Sequence, residues 1–192
     1  MAKFHSEIET INEGYATPKM VKEQIDDLGN FRETIKEACG MEKEVDEVLE
    51  RCGKFILENK LLFKKRIKDG RIKDCHGDLH SGNIFLGEKI FVFDCIEFNK
   101  DFRVNDVASE MAFMAMDLDY FGREDLSKIL VDEYIKLTKD EEIRKIIGLY
   151  KCYRANVRAK VAAMGYMQNP DDENKEKIRK YLELAKEYSK EI

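Results

Sequence analysis

A chain of 192 residues, 43% hydrophobic and 38% charged, has enough length and apolar content for one globular domain with a substantial core. Its formal net charge is −5, and lysine and glutamate are spread along it rather than blocked, which argues against a broad basic face for nucleic acid. No run approaches the roughly 18 apolar residues of a membrane span, and Met1 to Ser6 contain no apolar leader core, so a cytoplasmic protein away from the membrane is expected.

Residues 1–69 read as almost unbroken helix. Thr17-Pro18 makes a cap followed by proline at the first helical position, and Val21, Ile25 and Leu28 recur at helical spacing up to Gly29. A second stripe, Phe31, Ile35 and Ala38, ends at Gly40. The longest one follows with Met41, Val45, Val48, Leu49, Cys52, Phe55 and Ile56. The basic run Lys64 to Arg71 is expected on the surface, and no strand-like run precedes residue 71.

Residues 71–98 hold the chemistry. Ile84-Phe85-Leu86 and Ile90-Phe91-Val92-Phe93 are β-branched and aromatic runs parted by Gly87-Glu88-Lys89, which predicts a hairpin with a three-residue turn. Counting outward from Glu88, Asn83 and Asp94 fall nearly opposite one another, at about 5 Å between α-carbons. Asp78 lies five residues upstream of Asn83, in a loop that Gly77 and Gly82 allow to turn sharply. Two oxygen ligands with a further carboxylate beside them suit a Mg²⁺-nucleotide, because Mg²⁺ takes hard oxygens and few protein ligands. The plainer alternative is that Asp78 and Asn83 only shape a turn. A zinc site from Cys75, His76, His80 and Cys95 is a weaker rival: Cys75 and His76 are adjacent and no C-x-x-C occurs.

From residue 99 to 192 the chain reads as helix again. Val107, Ala108, Met111, Met114, Ala115 and Leu118 form a buried stripe, with Asp106 as the cap at its start. Asp117 and Asp119 are expected as exposed carboxylates at a helix end. Leu126, Ile129, Leu130, Tyr134 and Leu137 mark another core helix. In the long helix from about Glu141 to Met167 the expected apolar face is Ile143, Ile146, Ile147, Tyr150, Val157, Val161 and Met164. Arg154 falls on that face and needs a partner, either a carboxylate such as Glu110 or Asp117 or an anionic ligand, and Arg158 shares its edge. Ile178, Tyr181, Leu182, Ala185 and Tyr188 stripe a last helix expected to pack on the outside. The five cysteines are odd in number and irregularly spaced, so reduced thiols are expected, with Cys75 and Cys95 read as small buried hydrophobes rather than regulatory groups.

His76-Gly77-Asp78-Leu79-His80 with Asn83, followed by Asp94, resembles the catalytic loop and metal aspartate of aminoglycoside phosphotransferases and their protein-kinase-like relatives. Asp74-Cys75, Asp94 to Asn99 and Tyr153 to Val161 extend the resemblance. It implies a mainly α (α+β) fold, the large C-terminal lobe of a kinase-like protein spanning 1–192, with the small hairpin carrying the catalytic and metal residues. The activity implied is ATP-dependent phosphoryl transfer to a hydroxyl of a small molecule. Asp78 is then the catalytic base, Asn83 and Asp94 are Mg²⁺ ligands, and His80 joins them in cofactor binding. Glu97, Arg154 and Arg158 become candidates for the substrate side, and Asp106 becomes a strut beneath the loop. The family's β-rich N-terminal lobe, with its phosphate-covering loop and lysine, has no counterpart here. An isolated lobe is expected to turn over weakly and to have a docking surface for the missing lobe, a partner chain or a second copy. The rival from another class is a non-catalytic binding or regulatory module that keeps the lobe.

Overall fold

The computed structural model describes residues 1–11 and 14–192. In chain order its elements are α1 (Ala2–Glu7), α2 (Pro18–Asp26), a 3-10 turn (Asp27–Phe31), α3 (Arg32–Cys39), α4 (Glu42–Glu58), α5 (Lys60–Lys68), β1 (Ile72–Asp74), a second 3-10 turn (Ser81–Asn83), β2 (Ile84–Leu86), β3 (Ile90–Val92), α6 (Lys100–Arg103), β4 (Val104–Asp106), α7 (Val107–Tyr120), α8 (Glu124–Thr138), α9 (Ile143–Gln168) and α10 (Asp172–Lys190). The fold is mainly helical, with two small antiparallel sheets, β1–β4 and β2–β3, among the described residues. No described helix is long and apolar enough to cross a membrane.

The chain forms two compact units, each assembled from two segments: Met1–Thr17 with Leu61–Ile147, and Pro18–Lys60 with Gly148–Ile192.

In the first unit α7 is buried on nearly every side, as a helix apolar almost all round must be, and α8 packs along it. The expected core stripe of α8 is corrected: Tyr134 and the neighbouring Ile135 are buried, while Leu126, Ile129 and Leu137 are exposed. Asp106 caps α7 as its position predicts, accepting a hydrogen bond from the Ala108 amide at 2.8 Å. β4, immediately before it, pairs with β1 in the register Ile72↔Asp106, Lys73↔Asn105 and Asp74↔Val104. The expectation of near-continuous helix over 1–69 is corrected on the other edge of β1. There Thr10 bridges Lys73, the Ile11 amide donates to the Ile72 carbonyl at 2.9 Å, and the Asp74 amide donates to the Glu9 carbonyl at 3.3 Å. The physical reason is that β1 has polar backbone on both edges, and Ile8, Thr10 and Ile11 are β-branched residues suited to pair with it. Asn12 and Glu13, included in the same expectation, lie outside the described residues.

The expected hairpin is present. β2 pairs with β3 in the register Ile84↔Val92, Phe85↔Phe91 and Leu86↔Ile90. Its side chains are largely exposed, including Phe85, Leu86, Ile90 and Phe91.

The second unit is a helical bundle. Pro18 opens α2 as expected, and α3 stops at Gly40, whose φ of +70° is the left-handed conformation that a helix C-cap requires and glycine adopts without strain. Val45, Val48, Cys52 and Ile56 of α4 are buried, with α2, α3 and α10 packed around this helix. α10 therefore belongs to the core of its unit rather than to the outside: Ile178, Leu182 and Ala185 have no exposed surface. The face of α9 is corrected in its second half. Ile143, Ile146 and Tyr150 are buried as expected, but Val161 and Met164 are exposed, and Cys152, Ala155, Ala159, Ala163 and Tyr166 are buried instead.

Candidate active site

The loop between β1 and β2 is held from beneath by a carboxylate. Gly77 has φ +87°, and a Cβ there would lie 3.0 Å from the Phe102 carbonyl oxygen and 3.1 Å from the Arg103 Cα, so conformation and space both call for glycine. The amides of Gly77 and His76 donate to Glu110 of α7 at 2.7 and 3.2 Å. Glu110 has no exposed surface. Its third partner is His5 of α1, with Nε2 at 2.8 Å, and His5 Nδ1 is 2.7 Å from the Tyr134 hydroxyl of α8. Burial pushes the Glu110 carboxyl up, but the His5 hydrogen bond and charge, together with the two loop amides, outweigh it and hold the group below its ordinary value. Burial pushes the Tyr134 phenol up, which keeps it neutral as a hydrogen-bonding group.

His76 and Asn83 then fix the upper part of the loop. His76 Nε2 donates to the Phe93 carbonyl at 2.8 Å, its Nδ1 accepts from the Asp78 amide at 3.3 Å, and its own carbonyl accepts from the Ile96 amide at 3.0 Å. Asn83 Nδ2 donates to both the carbonyl and the Oδ2 of Asp78, each at 3.0 Å. His80 Nε2 stands 3.4 Å from the same Oδ2, while its Nδ1 accepts from the Gly82 amide. The Phe93 amide donates to the Asn83 carbonyl at 3.1 Å, so the hairpin pairing continues past its named strands and Asp94 comes one residue beyond the pair. Asp94 departs from ordinary strand geometry with φ +61°, a conformation that costs a non-glycine residue about 1 kcal/mol or more and recurs at functional positions. Asp78, Asp94 and Glu97 line one cavity of about 500 Å³, whose walls also include Cys95, Ile96 and Phe98.

Asp78, His80, Asn83, Asp94 and Glu97 are thus brought to one region of the first unit. Arg154 and Arg158 belong to the second unit: Arg154 is buried with its guanidinium 5.2 Å from the Tyr153 ring centre, and Arg158 donates to the Tyr181 hydroxyl at 3.3 Å. Asp106 forms a two-pronged pair with Arg66, at 2.6 and 2.7 Å, and the loop amides of His76 and Gly77 go to Glu110. Arg66 has no exposed surface and also meets Asp140 at 3.0 Å, so the basic run is not wholly a surface feature. Asp117 and Asp119 are buried, not exposed, and Asp117 accepts hydrogen bonds from the amide and hydroxyl of Ser81. Of the two flanking cysteines, Cys75 is buried as expected and Cys95 is exposed.

The zinc set does not assemble. Among the described residues the three metal-competent donors that gather within 4.8 Å are His5, Cys75 and Glu110, and His5 and Glu110 are already hydrogen-bonded to each other there. Sequence reasoning overlooked Glu110 and His5 as supports. The available signal was Glu110 three residues after Val107, a carboxylate within a buried stripe.

No family model matches the chain, and no solved structure does. The chain is 36% identical over 127 residues to the uncharacterized protein Rv2004c of Mycobacterium tuberculosis, and equally to the uncharacterized proteins MT2060 of the same species and Mb2027c of Mycobacterium bovis. Each match covers 65% of this chain and 25% of the relative, so the chain spans about a quarter of the length of the curated relatives it matches.

Proposed function

We propose that the first unit is part of a kinase-like large lobe in which Asn83 and Asp94 hold a Mg²⁺-nucleoside triphosphate and Asp78 serves as base for phosphoryl transfer to a hydroxyl of a small molecule. The observation that supports this reading best is the tie between Asn83 and Asp78, with the strand pairing of Asn83 leading directly to Asp94 on the same cavity. The donor set fits the ion. Asn83 Nδ2 is committed to Asp78, which leaves Asn83 Oδ1 and the Asp94 carboxylate as hard oxygens, and Mg²⁺ needs few protein ligands beside phosphates. Mg²⁺-ATP supplies the transferable phosphoryl group and the charge neutralisation for its transfer. Asp78 takes the proton of the acceptor hydroxyl, Asn83 orients its carboxylate, and Glu110 keeps the loop beneath it in place.

The exposed side chains of Phe85, Leu86, Ile90, Phe91, Phe93 and Phe98 fit a surface completed by further protein, either more of a longer polypeptide or a partner chain. Turnover by the isolated chain is therefore expected well below the roughly 1–100 s⁻¹ of complete kinases. Transfer of labelled phosphoryl from ATP to a panel of hydroxyl-bearing small molecules tests the reading. Asp78→Asn should lower the rate by about 10²-fold or more while leaving the circular dichroism spectrum unchanged. Equal rates in the two proteins would remove Asp78 from the chemistry.

A further inference from the structure

A second cavity of about 530 Å³ lies in the first unit and shares no lining residue with the cavity at Asp78, and its volume is that of a small-ligand site. Three cations line it, Lys3, Arg71 and Lys73, along with the buried imidazole of His5, while Val107, Tyr134 and Leu137 contribute apolar surface. No carboxylate is among its described lining residues, in a chain whose net charge is −5. The partners of the three cations differ. Lys3 lies 3.9 Å from Glu7 on an exposed helix face, and Arg71 stands 3.3 Å from Asp140, which Arg66 already engages. Lys73 is half-buried, and among the described residues its ammonium meets only neutral acceptors, the Thr10 hydroxyl at 2.9 Å and the Ile8 carbonyl at 3.4 Å.

An ammonium has three donors, so one held by two neutral oxygens has a third to offer. Strand pairing fixes its position, because Lys73 is the middle residue of β1, bridged by Thr10 on one edge and by Asn105 on the other. We propose that this cavity binds a small anion carried on an apolar body, with Lys73 as its main charge partner, Arg71 as a second, and Tyr134, Val107 and Leu137 against the apolar part. The site uses none of the residues proposed as base or metal ligands, so it stands or falls separately from the role given to Asp78.

Octanoate serves as the probe, with acetate for the charge alone and 1-octanol for the apolar chain alone, each titrated into the whole isotope-labelled chain while backbone amide resonances are followed. Octanoate should bind at least about tenfold more tightly than either control and shift the amides of Arg71, Lys73, Tyr134 and Leu137. Lys73→Gln should weaken it by about tenfold or more. Leu137→Glu should do the same by placing a carboxylate at the cavity; Leu137 is 68% exposed, so this variant keeps its fold even if Lys73→Gln does not. Octanoate binding no more tightly than 1-octanol, shifting residues 84–93 instead, or retaining its affinity in both variants would overturn the proposal.

Discussion

Glu110 carries more of the candidate site than any residue that faces it. A carboxylate without exposed surface is tolerable only when its hydrogen bonds are made, and this one accepts from two loop amides and His5. Glu110→Ala removes the partner of all three and is expected to destabilise the protein by about 3–5 kcal/mol, measurable by urea unfolding. The pH dependence follows from the direction of its shift. A carboxyl whose folded value lies below the ordinary 4.5 contributes its full stabilisation above that pH and loses it as pH falls through the folded value. Unfolding free energy measured downward from neutral pH should therefore fall in the acid range, and Glu110→Gln should flatten that fall. An unchanged acid profile in the variant would mean that other carboxyls carry it. Asp78, Asn83 and Asp94 were legible because the turn and the strands that gather them are local, with Asp78 and Asn83 only five residues apart. Glu110 and His5 are separated by 105 positions, and no periodicity in either segment announces the pairing.

Among the elements, the loop from β1 to β2 depends most on a single backbone conformation. Gly77→Ala forces a left-handed alanine whose Cβ meets backbone atoms of 102 and 103, so a loss of about 1–2 kcal/mol is expected before any rearrangement. Chemical denaturation measures it, and a neutral effect would mean that the loop yields easily. In the second unit Leu182 of α10 is fully buried, and Leu182→Ala should cost about 2–5 kcal/mol, whereas a helix lying on the outside would lose far less. The helices were legible where hydrophobic period and caps agree, as at Pro18, Gly40 and Asp106. The β1–β4 pair and the bridge at Thr10 were not, because three-residue strands show too little alternation and their pairing spans 30 or more positions. The later half of the α9 face was misread for a different reason: alanines, which carry little hydrophobic signal, line the buried side there with Tyr166, while the more apolar Val161 and Met164 are exposed.

At the scale of the whole molecule, two compact units are each built from separate stretches of chain, and the hairpin of the first has apolar side chains facing solvent. Lysine in place of Phe85 or Phe91 should change stability by no more than about 0.5 kcal/mol each while reducing binding of a hydrophobic dye. A large loss of stability would instead show that these rings are packed in solution. The central claim is that Asn83 and Asp94 hold a Mg²⁺-nucleotide beside the base Asp78, and the direct measurement is the thermal stability of the chain titrated with Mg²⁺-ATP. A progressive rise is predicted, reaching about 2.7 kcal/mol at a hundred times the dissociation constant. It should disappear both in Asp94→Asn and when Mg²⁺ is withheld. No rise at any concentration, or an equal rise in Asp94→Asn or without Mg²⁺, would contradict the account.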